Sequence, residues 1–600
     1  MSALPEGVLA SDLVPLLPTQ QPTSLPKPTA KSLAGTARPH GYLARSLSGF
    51  SWQSLPLLLC LLLGIGILLL GLLAPLLAML GQSLLDGDGH FVGLANFHDY
   101  MDQAGLLDAI GNTLLVGALL TILVVLVAFG YAYALTRTCM PGKGWFRLLG
   151  LSPLLMPSLL PAISLVYWFG NQGVAKPLLG EGSIYGLGGI LLGLGFWCFP
   201  HALMILTTAL SHSDARLYEA ARVLRSSPLR TFMTVTLPGA RYGILSAAIA
   251  VFTLAICDFG VAKVLGGQFN VLATDIYRQV VGMHNFALGA VASIMLLLPA
   301  LFSFVIEHRV RRRMQEQAST RAVPYQPKPH GVRDSLAFLW CLLCGLLVIA
   351  IIGMAIYGSL IRFWPYDLGL TLENYQFDGN SVYGWLPFYN TLKLGALTAL
   401  VGTGLILLLA YAQEKGRQFA PLRQLLHLLA MLPLAVPGMV LGLGYIFFFN
   451  QPGNPLQSLG GSMALLTLCC VMHYYTVGHM TALTSLKQLP RELELVAISL
   501  HIPLWRAFWR VTLPVCLSAV LEIFIYLFVN AMTTTSAVIF LYDSDSVLGS
   551  VAVLNMEDSG NTAAAAAMAC LILFAAMAVK LLQLLLSRAL LARTQRWRQL

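Results

Sequence analysis

The 600-residue chain is 57% hydrophobic and only 10% charged. Since a soluble domain carries roughly 25% charged residues, this composition excludes a water-soluble globule. Apolar runs of about 20 residues, enough to cross a bilayer, recur along the whole chain. In hydrocarbon each must be helical, because no water is present to satisfy backbone N–H and C=O groups. The sequence therefore predicts an all-α polytopic membrane protein with about 12 transmembrane helices.

The predicted spans form two groups of six, separated by a polar, basic segment. They cover 55–80, 110–135, 146–170, 185–210, 241–265 and 287–308, then 335–361, 391–412, 424–449, 461–484, 515–540 and 563–587. The predicted organisation is a disordered cytoplasmic N-terminal extension (1–52), a first transmembrane domain (53–308), a cytoplasmic linker (309–333), a second transmembrane domain (334–590) and a cytoplasmic tail (591–600).

The net charge of +10 is distributed in the way that a membrane topology requires. Most Lys and Arg residues fall before the first span, after the last one, and in alternate segments between spans. The exceptions, on the opposite side with most of the carboxylates, are Lys176, Lys263, Arg278, Arg362 and Lys393. This positive-inside bias predicts that both termini are cytoplasmic, and it argues against nucleic acid as a partner.

The sequence contains no recognisable nucleotide-binding or metal-binding motif. Pro141-Gly142-Lys143-Gly144 lacks the spacing and the Ser/Thr of a phosphate-binding loop, so the energy for any transport must come from a partner. Cys341 and Cys344 form a CxxC, but they lie in an apolar run where packing explains them. We therefore expect no cofactor, no metal site and no catalytic residue.

An internal repeat relates the two groups of spans. At one fixed offset 217–238 aligns without gaps to 493–514, and both stretches end in Thr-Leu-Pro. A single register held over so many positions is a specific signal. Each group contains an even number of spans, so the repeat is parallel, which excludes inverted-repeat transporter designs.

Each copy of this stretch predicts two short amphipathic helices outside the bilayer. The apolar face of the first helix is formed by Leu217, Ala220, Ala221 and Leu224. Such a face is buried on the lipid interface, on the protein's own spans, or on a partner. Its duplication at equivalent points of both halves favours docking to a pair of equivalent partner sites.

Both stretches resemble the EAA loop of binding-protein-dependent ABC transporter permeases, in which Glu-Ala-Ala is followed by Gly and then by Ile-x-Leu-Pro. The corresponding residues of the first copy are Glu219, Ala220, Ala221, Arg225 (in place of Gly), Arg230, Leu237 and Pro238. Those of the second copy are Leu495, Ala497, His501 (in place of Gly), Arg506, Leu513 and Pro514. The resemblance covers roughly 50–310 and 335–590.

This resemblance implies a multi-pass protein of the bacterial inner membrane that works with two partners. The loops are expected to dock, as coupling helices, on a cytoplasmic ABC ATPase, taken to be a homodimer, while a periplasmic binding protein delivers the substrate. The missing glycines imply that the turn between the two helices is reached without a left-handed residue, or is strained. The missing Glu of the second copy implies unequal docking of the two halves.

Fused double permeases of this family serve ferric iron, thiamine and phosphonates. Residues 257–293 and 533–568 most resemble the 2-aminoethylphosphonate type, and part of the first stretch is also similar to ferric-iron permeases. The expected cargo is therefore 2-aminoethylphosphonate or a related phosphonate, with ferric iron as the alternative.

Polar side chains at membrane depth are candidates for the translocation pathway, because they are costly unless they face a cavity or a partner. The candidates are Asp258, His201, His473, Tyr474, Thr533 and Thr534. For Asp258 the competing interpretation is an ion pair with Lys263. For the histidines it is a hydrogen bond between helices.

Two other classes of protein remain as alternatives. A secondary transporter of the major-facilitator type also has six plus six spans, but the segment between spans two and three here contains no acidic residue of its motif. A membrane-embedded enzyme would require a motif such as HExxH, paired intramembrane aspartates or a Ser–Lys dyad, and none is found.

Overall fold

The computed structural model describes residues 55–594 except 88, 104, 212, 318–322, 324, 417, 490–495, 497–498 and 501. The predicted N-terminal extension and the end of the tail lie outside these residues. We call 217–238 the first coupling motif and 493–514 the second. Three residues of the second coupling motif, Leu495, Ala497 and His501, also lie outside the described residues.

The first half of the described chain is helical throughout. Its α-helices are α1 (Leu55–Leu68), α2 (Ala74–Gln82), α3 (Ala95–Asp102), α4 (Leu106–Arg137), α5 (Lys143–Leu151), α6 (Leu159–Phe169), α7 (Leu187–Ser211), α8 (Ala215–Val223), α9 (Pro228–Thr231), α10 (Leu237–Cys257), α11 (Gly260–Leu265), α12 (Leu272–Tyr277) and α13 (Phe286–Gln317). Short π-helical turns cover Leu69–Leu73, Phe232–Thr236 and Arg278–Gly282.

The second half repeats this order and adds one small hairpin. Its elements are α14 (Gly331–Leu360), β1 (Ile361–Phe363), β2 (Asp367–Leu370), α15 (Phe377–Asn380), α16 (Leu386–Lys415), α17 (Ala420–Met431), α18 (Gly438–Phe449), α19 (Met463–His473), α20 (Tyr475–Lys487), α21 (Leu504–Ala507), α22 (Leu513–Val515), α23 (Leu517–Thr533), α24 (Gly549–Asp558) and α25 (Thr562–Thr594). The strands pair antiparallel, Ile361 with Leu370 and Phe363 with Asp367. A π-helical turn covers Phe508–Thr512.

The all-α polytopic architecture predicted from the sequence is confirmed. Within the described residues, 8 helices are long and apolar enough to cross a membrane, or up to 11 when each bent helix pair is counted as one span. The remaining predicted span, 461–484, is divided at Tyr474 into α19 and α20, and the shorter α19 is itself apolar. The division explains why this span does not qualify as a single long helix.

Prolines bend the third predicted span of each half in the same way. In the first half the two helical pieces meet at 103°, and in the second at 112°. The residue before the proline is extended at each break, with ψ 142° at Met156 and 115° at Val436. This follows from the clash between a proline ring and a preceding α-helical residue, so Pro157 and Pro437 end the first piece.

The first long helix of each half packs on the other half. Helix α1 contacts α16 and α17, α2 contacts α18, and α14 contacts α4, α5 and α6. Polar contacts accompany the exchange, since the Tyr445 hydroxyl donates to the Gly71 carbonyl at 2.6 Å and the Ser164 hydroxyl donates to the Ile351 carbonyl, also at 2.6 Å. The two halves are therefore consecutive in sequence, but they are not separate units in their packing.

An Asn-Thr-Leu sequence near the beginning of α4 and of α16 makes the same contacts in both halves. The Thr113 hydroxyl accepts from the Leu272 N–H at 2.8 Å, and the Thr391 hydroxyl accepts from the Gly549 N–H at 2.7 Å. Both hydroxyls satisfy an N–H at the beginning of a helix, α12 or α24, which otherwise has no backbone partner. The sequence repeat is thus also a repeat of tertiary structure.

The bundle has two ends that differ in charge. The basic end is the one formed by the C-termini of α4 and α7 with 213–236, 323, 325–334 and 502–512. We call acidic end the opposite one, which carries the residues around α11, α12 and α24.

Candidate functional site

The first coupling motif is held at the basic end by its inward face. Of α8, Tyr218 and Ala221 are buried, and the Tyr218 hydroxyl donates to Thr236 Oγ1 at 3.1 Å. The Asp214 carboxylate begins α8 by accepting from the Arg216 N–H, and the Ser227 hydroxyl begins α9 by accepting from the Arg230 N–H. Two N-caps and one internal hydrogen bond fix this helix–turn–helix.

The turn between α8 and α9 contains a strained residue, Arg225, where the family has glycine. Its φ is +52°, in the left-handed region. The Ser226 N–H donates to the Ala221 carbonyl at 3.0 Å and the Arg225 N–H donates to the Arg222 carbonyl at 2.9 Å, which is the Schellman pattern of a helix end. Of the two possibilities expected from the missing glycine, a turn without a left-handed residue is wrong, and the strained turn is found.

Substituting this residue tests the strain directly. Arg225→Gly is expected to stabilise the loop locally by about 1 kcal/mol, because glycine adopts a positive φ without a Cβ clash. Hydrogen exchange of the α8 amides should slow by roughly fivefold. The matched control Arg222→Gly, inside α8, should speed that exchange because glycine costs about 1 kcal/mol in a helix interior. Faster exchange in Arg225→Gly would contradict the assignment of strain.

The outward face of the first coupling motif is apolar and exposed. Leu224 is 78% exposed and Leu229 69% exposed, and Glu219, Ala220, Arg230 and Pro238 are exposed beside them. Leu237 is partly exposed, while Ala221 alone of the Glu-Ala-Ala triplet is buried. The predicted apolar stripe is therefore divided: a small part packs inward and the larger part forms a surface, which we call coupling surface 1 (217, 220, 223–224, 229 and 233).

The second coupling motif has a comparable surface of different composition. Trp505 and Trp509 are each 61% exposed, and the Arg506 guanidinium lies 5.1 Å above the ring of Trp505. Leu513 is half-buried and Pro514 exposed. We call coupling surface 2 the exposed residues 496, 500, 502, 505 and 509. It is aromatic where coupling surface 1 is aliphatic.

Each coupling motif is anchored to its half by an equivalent pair of rings. Phe232 packs edge-on against Tyr133 with ring centres 5.9 Å apart, and Phe508 packs against Tyr411 at 4.8 Å. Phe232 and Phe508 both begin the π-helical turn that precedes the Thr-Leu-Pro sequence. The anchor connects each motif with the end of a long helix, α4 or α16.

The linker between the halves lies against the first coupling motif. Arg137, buried at the end of α4, has its guanidinium 4.9 Å from the centre of the Tyr218 ring and 4.7 Å from that of the Tyr325 ring. Its Nη2 donates to the Leu210 carbonyl at 2.6 Å. The Ala215 N–H donates to the Val323 carbonyl at 2.9 Å. We call this arrangement the linker clamp (Arg137, Tyr218, Tyr325). The sequence analysis did not predict the linker clamp, because it considered the linker only for its basic charge.

Three of the predicted pathway residues come together in the second half. His473 and Tyr474 have ring centres 4.6 Å apart, and Tyr474 hydrogen-bonds Thr534. Tyr526, which was not predicted, packs edge-on against Tyr474 at 6.1 Å. The Nδ1 atom of His473 is buried without a hydrogen-bond partner among the described residues. We call His473, Tyr474, Tyr526 and Thr534 the polar cluster; Thr533 instead donates to the Val529 carbonyl of its own helix.

The other two predicted pathway residues lie outside the polar cluster. The Asp258 carboxylate accepts from the Val261 N–H at 2.9 Å, which caps the beginning of α11, and it also hydrogen-bonds the Ser158 side chain. Lys263 does not pair with it but forms an ion pair with Asp558 at 3.1 Å, so the proposed Asp258–Lys263 pair is wrong. His201 Nδ1 lies 3.3 Å from the Trp197 carbonyl of its own helix, and within the described part of the chain no hydrogen bond to another helix is found for it.

The family of this protein follows from comparison with known proteins. Residues 141–316 and 402–591 match the family described as binding-protein-dependent transport system inner membrane component, and the chain belongs to this family. The two matched ranges contain one coupling motif each. The fused double permease expected from the sequence is therefore confirmed, and a major-facilitator transporter is excluded.

Several curated relatives are permeases of the same class. The chain is 27% identical to the ferric transport system permease protein FbpB of Actinobacillus pleuropneumoniae, over 80% of this chain and 71% of the relative. It is 29% identical to the putative ferric transport system permease protein FbpB 1 of Haemophilus influenzae, over 74% and 72%. The molybdenum transport system permease protein ModB of Azotobacter vinelandii is 31% identical over 33% of this chain and 93% of its own length.

Family membership gives the general role of the protein. It is a multi-pass permease of the bacterial inner membrane, and a binding-protein-dependent system implies a separate ATPase and a periplasmic binding protein as partners. None of these relatives carries the phosphonate name that the sequence suggested, so this substrate is not confirmed.

Proposed function

We propose that this chain forms the transmembrane part of an ABC importer, in which two fused halves are driven by two copies of one ATPase. The observation that supports this most is the duplicated coupling motif, whose two exposed surfaces rest on equivalent ring anchors, Phe232–Tyr133 and Phe508–Tyr411. Two equivalent anchors match a homodimeric partner. Their different surfaces, aliphatic in one copy and aromatic in the other, support unequal docking.

In this proposal the basic end lies in the cytoplasm and the acidic end faces the binding protein. The charge bias of the loops supports this orientation, in which both termini are cytoplasmic. The two transmembrane domains, 53–308 and 334–590, are joined by the cytoplasmic linker 309–333. ATP-driven closure of the ATPases moves the two coupling motifs, and the ring anchors transmit this movement to α4 and α16.

For the cargo we propose a small solute, with ferric iron the first to test. The names of the ferric relatives favour it, whereas 2-aminoethylphosphonate rests on the resemblance of 257–293 and 533–568 alone. Both belong in the same experiment. ATPase activity of the reconstituted permease–ATPase complex should be stimulated by the matching binding protein loaded with one cargo and not by the same protein loaded with the other.

The polar cluster is our candidate for the pathway, because a buried imidazole nitrogen without a partner is costly unless something polar visits it. His473→Leu should lower uptake while leaving ATPase association intact. Asp258→Asn provides the contrast: if the carboxylate only caps α11, uptake persists, and if it lines the pathway, uptake fails. Unchanged uptake in Asp258→Asn removes Asp258 from the pathway.

The decisive test of the function is association with the ATPase. Glu219→Lys and Arg230→Glu reverse exposed charges on the first coupling motif, and they should weaken co-purification of the ATPase while the permease still inserts in the membrane. Glu181→Lys, a reversal of an exposed charge at the acidic end, is the matched control. Normal co-purification in both coupling variants would argue against the assignment.

A further inference from the structure

An ion pair and a ring contact join the two halves at the acidic end. Lys263 of α11 bonds to Asp558 at the end of α24, with the Nζ and Oδ1 atoms 3.1 Å apart. Tyr277 of α12 stacks with Phe540 of the second half, with ring centres 6.5 Å apart. The Lys263 ammonium also lies 5.4 Å from the centre of the Tyr277 ring. These residues thus form one continuous cluster across the boundary.

Glu557 and Asp558 do not stabilise the helix that carries them. Glu557 and Asp558 are the last two residues of α24, where the negative end of the helix dipole disfavours carboxylates. Burial and the adjacent Asp558 raise the pKa of Glu557, and Lys263 lowers it. Lys263 is therefore the nearby cation that compensates an unfavourable pair of charges. This ion pair connects the two halves.

The two sides of the cluster are unequal although the halves are repeats. At the offset that aligns the coupling motifs, Lys263 corresponds to Ile539, and the adjacent Phe540 makes the ring contact instead of a charge contact. Both partners of the ion pair are partly exposed, 27% for the Lys263 side chain and 42% for that of Asp558. The pair is thus accessible to salt, and it can separate without leaving a buried charge behind.

A cavity opens directly beside this cluster. It has a volume of about 330 Å³ and is lined by Phe540 together with polar groups of the second half, among them Asn450, Gln457 and Asp543. Phe540 forms a wall of this cavity and a part of the contact between the halves.

We propose that Lys263–Asp558 is an electrostatic latch that holds the outer gate closed, with Tyr277–Phe540 as the aromatic half of the same gate. The latch rests on the proposed function, because it acts when the halves separate at the acidic end. A contact made only in the closed state shifts the gate towards closed by its own free energy. An exposed ion pair contributes little, so the latch opens readily once ATP or the binding protein favours the open state.

The test is ATP hydrolysis by the reconstituted permease–ATPase complex without the binding protein. Lys263→Gln and Asp558→Asn should each raise this basal rate by about two- to fivefold, which is the range that an exposed pair supports. The double variant should equal the single ones, since the second substitution removes nothing further. The charge swap Lys263→Asp with Asp558→Lys should return the rate towards the wild-type value.

Salt dependence separates a latch from a merely structural contact. Raising NaCl from 50 to 500 mM should increase the basal rate of the wild-type complex and leave the double variant unchanged. Lys176→Gln, which removes an acidic-end cation that donates to the Gly180 carbonyl of its own loop, is the matched control and should keep the wild-type rate. Wild-type stimulation by the binding protein establishes the proposed function independently. If that stimulation is present and the variants show wild-type basal rates, the latch is refuted and the importer assignment stands.

Discussion

Replacement of both Trp505 and Trp509 by Asp is expected to abolish binding of the ATPase by coupling surface 2. Exposed tryptophans that become buried in an interface are the commonest hot spots, and each contributes about 2 kcal/mol or more when it is truncated. Together they correspond to roughly a thousandfold loss of affinity. Since both side chains are 61% exposed in the permease alone, the substitutions remove little packing from its own fold.

The measurement is the dissociation constant of the ATPase from the permease in nanodiscs. Leu178→Asp, a substitution of an 83% exposed apolar residue of the first half away from both coupling motifs, is the control and should leave the affinity unchanged. The corresponding pair on coupling surface 1, Leu224→Asp with Leu229→Asp, should cost less because aliphatic residues contribute less in interfaces than tryptophan. Equal losses from the two surfaces would contradict unequal docking, and no loss from either would contradict the location of the docking site.

The sequence predicted those parts of the fold that depend on local pattern. Apolar run length indicated the spans, and the register that aligns 217–238 with 493–514 indicated the repeat. The equivalent contacts of Thr113 and Thr391 extend that repeat to another part of the two halves. The breaks of the third spans also have a local cause, since the residue before Pro157 or Pro437 cannot remain helical. A backbone in hydrocarbon must satisfy its own hydrogen bonds, so an apolar run there is restricted to a helix or a closed barrel. Composition therefore determines more of the secondary structure here than it does in a soluble protein.

The contacts between distant segments could not be predicted in this way. Asp258 is five positions from Lys263 and was the obvious partner, but the backbone N–H of Val261 uses that carboxylate and Asp558 of the other half takes the ammonium. Nothing in one sequence indicates which of several outer carboxylates meets a given lysine. The same limit applies to the exchange of α1 and α14 between halves, which leaves no periodic signal in the chain.

Loss of Arg137 is expected to have the other large effect, because it removes the centre of the linker clamp. The buried Arg137 guanidinium lies against both rings, whose own centres are 4.5 Å apart, and the cation–π attraction contributes about 2 kcal/mol or more. Its bond to the Leu210 carbonyl adds about 1.5–3 kcal/mol. Arg137→Ala should therefore lower the free energy of unfolding of the permease by roughly 3–5 kcal/mol. Because Tyr218 belongs to the first coupling motif and Tyr325 to the linker, the variant should also reduce ATPase stimulation by the loaded binding protein.

Two measurements distinguish the clamp from general destabilisation. The midpoint temperature of thermal unfolding of the purified permease should be lower in Arg137→Ala. It should be nearly unchanged in Arg147→Ala, which replaces an exposed arginine of α5. Tyr325→Phe keeps the ring face and should couple normally, whereas Tyr325→Ala should lose stimulation although it leaves the bond from Arg137 to Leu210 in place. The Tyr325 ring connects the linker, which leads into α14, with the first coupling motif. Loss of stimulation in Tyr325→Ala would therefore mean that the linker takes part in coupling between the ATPase and the permease. Normal stimulation in Tyr325→Ala would instead reduce the clamp to a local packing contact.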